Sequence, residues 1–148
     1  MRVPPPLIAL AALVAQRALT PDAPKPGAVR KGAVAVLVVG SVALVGSAQL
    51  RFRRAGTTVD PVHPDRASAL VTGGPYELTR NPMYVGLAGL LVAHGVARGS
   101  WRALPPVAAF VALIDGLQIA AEEAAMKNRF GDDYEAYRER VPRWIGPR

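Results

Sequence analysis

The chain has 148 residues, of which 51% are hydrophobic and 6% aromatic, and it carries a net charge of +7. It contains no cysteine and two histidines, His63 and His94, which excludes disulfides, thiolate metal sites, cysteine nucleophiles and a metal centre built on histidines. No nucleic-acid recognition motif accompanies the basic balance, whereas basic residues flanking apolar blocks suit anionic lipid headgroups.

In chain order the apolar residues fall into four blocks with the charges between them. Residues 4–19 form the first, broken near its end by Gln16 and Arg17, and Pro4-Pro5-Pro6 favours a first span over a secretory leader. Residues 32–50 form the second and contain no charge; at about 1.5 Å per residue they reach roughly the thickness of a hydrocarbon core. Residues 83–97 form the third, with His94 as the polar side chain, which is expected to pack inside the bundle. The fourth, residues 104–121, contains Asp115 and Gln118. The expectation is an all-α, multi-pass membrane bundle of about four spans forming one domain over 1–148. Twelve of the 18 Lys and Arg residues then lie on the side of the 51–82 loop and the C-terminal tail, which makes that side cytoplasmic.

Beyond residue 121, Met126, Phe130, Tyr134 and Tyr137 recur at helical spacing, predicting an amphipathic C-terminal helix. Gly131-Asp132-Asp133 is expected to interrupt it, and Val141-Pro142 to end it.

Two clusters carry chemistry. In the first, a Gly73-Gly74-Pro75 turn leads to Tyr76 and then to Arg80-Asn81-Pro82-Met83-Tyr84, with Pro82 opening a helix whose N-terminus can receive an anionic group. In the second, Asp115, Gln118 and Glu122 share a helical face by spacing. A carboxylate within a span suggests function. A Glu122-Glu123 pair at the expected helix C-terminus opposes the helix dipole, so a nearby arginine or a cationic ligand is expected to compensate.

The Gly74-Pro75-Tyr76 segment, the Arg80–Tyr84 string, the Glu122-Glu123 pair and the closing Phe130-Gly131-Asp132-Asp133-Tyr134, Tyr137 and Val141-Pro142 resemble, in order, the isoprenylcysteine carboxyl methyltransferases. Those enzymes and the related phospholipid methyltransferases share an Arg-His-Pro-x-Tyr string, an apolar span and a Glu-Glu pair. The resemblance covers about residues 56–145. It implies an enzyme with a cytosol-facing S-adenosylmethionine pocket acting on a membrane lipid or amphiphilic small molecule. It further implies that Ala69, Leu70, Val71 and Tyr76 line the cofactor together with Asn81, Pro82, Met83 and Tyr84, and that Glu122 holds its ribose hydroxyls or amino group. Arg80 would serve its carboxylate.

The chain departs from the pattern twice. Asn81 replaces the histidine, keeping a hydrogen-bond donor but losing titration. Gln118 stands where the isoprenylcysteine enzymes carry a substrate-binding arginine, which points away from carboxyl methylation of a prenylcysteine. On the acceptor side Asp115 and Gln118 are the candidate catalytic residues, with Asp115, His63 or Glu122 as candidate bases. Two alternatives remain open at this level. One is a reductase binding a reduced nicotinamide dinucleotide, since membrane sterol reductases end in a similar string; the other is a non-enzymatic four-helix membrane module.

Overall fold

The computed structural model describes residues 3–56 and 68–146, and His63 lies outside them. Among the described residues every regular element is helical. Helix α1 spans Pro5–Leu19, α2 Ala28–Arg54 and α3 Pro82–Arg98. Then α4 (Leu104–Leu113) runs through a π-helical segment (Ile114–Ile119) into α5 (Ala120–Arg140) without a break in the chain of helical turns. By length and composition α2 and the continuous Trp101–Arg140 unit are long and apolar enough to cross a membrane, and α1 is a shorter apolar helix.

The sequence explains the helix limits. Pro82 occupies the first turn of α3, where its missing N–H is no loss, and Gly99 ends that helix in the left-handed region (φ 61°). A side chain at Gly99 would overlap the Arg30 guanidinium, so α2 and the end of α3 are locked together there. Helix α2 extends past both ends of its uncharged block, carrying Arg30 and Lys31 at one end and Arg51, Arg53 and Arg54 at the other.

Helix α3 is the centre of the bundle: α2 packs against it along its length, and α1 packs on α3 and α4. Small residues let α2 and α3 approach closely. A Cβ at Gly86 would overlap Val45, and one at Gly89 would overlap the Ser41 hydroxyl. The outer face of α2 presents Val36, Val39 and Val42 at 73%, 68% and 56% exposure, an apolar surface suited to lipid.

Two apolar clusters fill the interior. One gathers Ala48, Tyr76, Tyr134, Tyr137 and Val141, with Phe52, Leu70, Val71, Met83, Met126 and Phe130 against it. All four residues spaced along the tail face are in it. The other gathers Tyr84, Leu91, Phe110, Ile114 and Ile119. Gly131 breaks the helical path of α5 with φ 51° and ψ −123°, and Val141 ends it in an extended conformation, both at the expected places.

The expected helix end near residue 121 is absent. Glu122 and Glu123 sit in the first turn of α5 within a continuous helix, so their charge meets no helix C-terminus. The expected compensation is nonetheless present, because Glu123 pairs with both Arg80 (2.9 Å) and Arg143 (2.5 Å).

Candidate functional site: a polar-floored cavity at one end of the bundle

A cavity of about 360 Å³, within the usual range for small-molecule sites, opens where the ends of several helices meet. Its lining includes Ala69, Leu70, Val71 and Tyr76 from the segment before α3, then Arg80, Asn81, Pro82, Met83 and Tyr84, and Glu122 from α5. The nine residues that the resemblance assigns to a cofactor, and Arg80, assigned to its carboxylate by charge, are therefore brought to one space. Local structure explains the convergence. Gly74 adopts φ 66°, opening a short 3₁₀ turn, Gly74–Glu77, that places Tyr76 inward at 6% exposure. The Tyr137 hydroxyl then donates to the Tyr76 carbonyl at 2.7 Å and fixes that turn against α5. Burial, followed by the neighbouring Tyr137 and Glu122, raises the Tyr76 phenol above its ordinary pKa, so it stays a neutral group.

The acidic side of the cavity is built around Glu122. Its Oε1 accepts from the Tyr84 hydroxyl at 2.5 Å and from Gln118 Nε2 at 2.7 Å. Facing it is a basic group. Arg80 Nη1 pairs with Glu123 and also donates to the Tyr134 hydroxyl at 3.3 Å, while Arg80 Nε is buried with no hydrogen-bond partner. A buried guanidinium N–H without a partner is a costly arrangement.

Asp115 and Gln118 are not part of the lining. Gln118 lies behind Glu122 as its hydrogen-bond partner, at 5% exposure. Asp115 turns to the C-terminal segment, accepting from Arg143 Nη1 at 3.0 Å and from Trp144 Nε1 at 2.8 Å. The face shared by Asp115, Gln118 and Glu122 in an ideal α-helix is thus split. The π-helical turns between them hold more residues than α-turns, which delays the return to the same face by about one residue. Asp115 accordingly shares Arg143 with Glu123, not with Glu122. The Arg143 guanidinium is held above its ordinary pKa chiefly by its hydrogen bonds to Glu123.

Sequence reasoning assigns no pocket residues to the first two apolar blocks, yet α1 supplies Pro5 and Pro6 to the lining, and α2 supplies Val45, Gln49 and Phe52. Gln49 carries a usable signal, being a primary amide in an uncharged block whose other polar side chains are the small Ser41 and Ser47. The prolines and Phe52 carry none, because nothing in their spacing separates a cavity wall from a core contact. Phe52 meets Tyr76 edge to face, with ring centroids 5.5 Å apart.

Asn81 does not cap α3 with its side chain. Its Nδ2 instead donates to the Arg143 carbonyl at 3.0 Å, tying the cavity's proline turn to the C-terminal segment. The other histidine, His94, lies inside the bundle as expected, with Nδ1 2.9 Å from Gln16 Oε1.

Comparison with known proteins adds a family to this geometry. The phospholipid methyltransferase family matches residues 30–133, a stretch that contains most of α2, the cavity's turn, all of α3 and the glutamate pair. An uncharacterized protein of Haemophilus influenzae is 36% identical over 63 residues, which cover 43% of this chain and 100% of that protein. No solved structure matches significantly. The family match runs over well over half of the chain and through the residues that build the cavity, and on that basis this chain belongs to the phospholipid methyltransferase family.

Proposed function

We propose that the chain is an integral membrane methyltransferase that takes its methyl group from S-adenosylmethionine and delivers it to a lipophilic or small amphiphilic acceptor. The observation that carries this reading is the meeting, in one cavity, of the nine resemblance-assigned cofactor residues with Arg80. The donor set fits the cofactor. Arg80, which lines the cavity, would hold the carboxylate, and Glu122 would hold the amino group or the ribose hydroxyls. Leu70, Val71, Met83 and the rings of Phe52 and Tyr76 would wall the adenine. When bound, the cofactor supplies a methyl group on a positively charged sulfur, already activated toward a nucleophile. The chain's task is then alignment and exclusion of water, which its apolar walls support.

Gln118 and Asp115 act in this reading from behind the cavity, Gln118 by orienting Glu122 and Asp115 by holding Arg143. Of the two candidate bases among the described residues, Asp115 and Glu122, it is Glu122 that lines the cavity. The acceptor side is assigned to the wall of Pro5, Pro6, Val45, Gln49 and Leu87. Helices α1 and α2 both pack on α3 more than on each other, which favours access from the bilayer between them. With Gln118 in place of an arginine, an amine, hydroxyl, thiol or other lipid-borne group is favoured over a prenylcysteine carboxylate.

The whole chain is read as one domain with four spans. In support, the helical segments alternate in direction. Pro5, Phe52, Pro82 and Glu122 lie at the cavity end, whereas Gln16, Arg30, Arg98 and Ala103 meet one another or neighbouring loops at the other end. The basic cluster Arg51, Arg53 and Arg54 supports a cavity that faces the cytoplasm.

The direct test is calorimetric titration of purified full-length protein in detergent with S-adenosylmethionine, S-adenosylhomocysteine and reduced nicotinamide dinucleotides. Saturable binding of the first two is expected. Binding of neither sinks the proposal, and binding of a reduced nicotinamide alone replaces it with a reductase.

A further inference from the structure

We infer that Arg143 is a positioning residue that sets the charge Arg80 presents to the cavity, and with it the preference of the site for a ligand bearing a carboxylate. The inference rests on the cofactor reading proposed for the cavity. Arg143 lies in the C-terminal segment beyond α5, outside the stretch matched by the family.

Its backbone and side chain do separate things. The backbone of this segment grips the turn before α3: the Arg80 N–H donates to the Pro142 carbonyl at 2.9 Å, and the Arg143 carbonyl accepts from Thr79 Oγ1 at 2.8 Å and from Asn81 Nδ2. Any side chain at position 143 leaves those bonds possible. The guanidinium makes a second set. It binds both oxygens of Glu123, through Nη2 at 2.5 Å and Nε at 3.1 Å, and it reaches Asp115 Oδ2 at 3.0 Å.

Glu123 is therefore shared by two arginines, its Oε1 also meeting Arg80 Nη1 at 2.9 Å. The side chains of Arg80 and Glu123 are only 10% and 15% exposed, so solvent screens this pair poorly. The chain of contacts Arg80, Glu123, Arg143, Asp115 alternates in sign and sums to zero charge. Without the Arg143 charge, one arginine faces two carboxylates. The Glu123 carboxylate then falls wholly to Arg80, and the potential around the Arg80 guanidinium, which lines the cavity, shifts toward negative, against a ligand carboxylate.

Binding rather than activity reads this out, using two ligands that differ only in that group. Wild-type protein in detergent is titrated with S-adenosylmethionine and with decarboxylated S-adenosylmethionine, and R143A, R143Q and R143K are titrated alongside. The wild type is expected to favour the carboxylated ligand. In R143A and R143Q that preference falls about tenfold, as expected for loss of a charge-assisted contact, while affinity for the decarboxylated ligand holds. R143K, which keeps the charge, retains most of the preference. Equal weakening of both ligands in R143A and R143Q, an unchanged preference, or an R143K as poor as R143A overturns the inference while leaving the cofactor reading in place. A wild type that binds neither ligand overturns both. Thermal melting of each variant accompanies the titrations, and if R143A fails to fold, the contrast between R143Q and R143K decides.

Discussion

The two ends of the bundle solve the same problem in opposite ways. Away from the cavity, Gln16 is fully buried on α1, where its Nε2 donates to the carbonyls of Leu91 and Ala103 at 3.0 and 2.9 Å. Those two bonds fix the amide's orientation, so Oε1 is the acceptor and His94 Nδ1 is the N–H-bearing nitrogen. Thr20 continues the network, accepting from Arg98 Nε at 2.8 Å while its carbonyl receives Arg98 Nη2. This cluster joins α1, α3 and the start of α4, and none of its residues lines the cavity. At the other end, charged groups of both signs surround a space, and one buried donor, Arg80 Nε, lacks a partner. A polar network whose donors are matched holds helices together, whereas one set around a cavity leaves charged groups available to a ligand.

The largest expected effect that tests this contrast is at Glu122. Glu122→Gln removes one carboxylate charge from the cavity while keeping its shape, and should weaken binding of S-adenosylmethionine by about tenfold to a hundredfold, the range for a lost hydrogen bond to a charged group. Melting should change little. A normal affinity in this variant, together with a loss in Glu123→Gln, would move the cofactor contact to Glu123 and reassign the open cluster. Gly89 lies on α3 between the two ends, against Ser41. Gly89→Leu should cost about 1–3 kcal/mol through overpacking and should lower thermal stability and cofactor binding together, because α2 carries one cavity wall. Intact binding in a destabilised Gly89→Leu protein would show that the α2 wall is dispensable. At the matched end, Gln16→Leu leaves two carbonyls short of a donor and should lower stability by about 1 kcal/mol, near the upper part of the range seen for polar contacts in membrane bundles. Binding by the folded fraction should be untouched, and a loss of binding there would break the distinction between the ends.

The same contrast governs what is legible in the sequence. The cavity end can be read from short-range signals, because Gly74, Pro75, Asn81 and Pro82 dictate a turn and a helix start wherever they occur. Tail residues Met126, Phe130, Tyr134 and Tyr137 are legible from period alone. Asp115 is misplaced by spacing arguments because a π-helical stretch has no distinct residue signature. Ile114–Ile119 reads as ordinary apolar helix, and the extra residue per turn then rotates every later position on the helix. The partners of Glu123 are foreseeable in kind but not in identity, since Arg80 and Arg143 reach it from segments 43 and 20 residues away in sequence. Of the matched cluster, His94 is legible in the sequence as a polar residue within an apolar block, and the rest is not. Gln16 and Thr20 look like the frayed end of a span, and only the packing of α1 beside Leu91 and Ala103 makes them structural.

The smallest effect expected is at Tyr84, and it sharpens the comparison most finely. Its hydroxyl and Gln118 Nε2 converge on the same oxygen of Glu122, so the carboxylate is oriented by two donors from two helical segments. Tyr84→Phe removes one donor but keeps the ring in the cluster with Leu91 and Phe110. A single hydrogen bond of this kind is worth about 1 kcal/mol net, so S-adenosylmethionine binding should weaken by only about threefold to fivefold. If the role is orientation, the loss should be larger when Gln118→Leu is added than the product of the two single effects, because both donors converging on that oxygen are then gone. If the two losses multiply independently, Tyr84 and Gln118 contribute only local contacts, and the orientation of Glu122 does not depend on them.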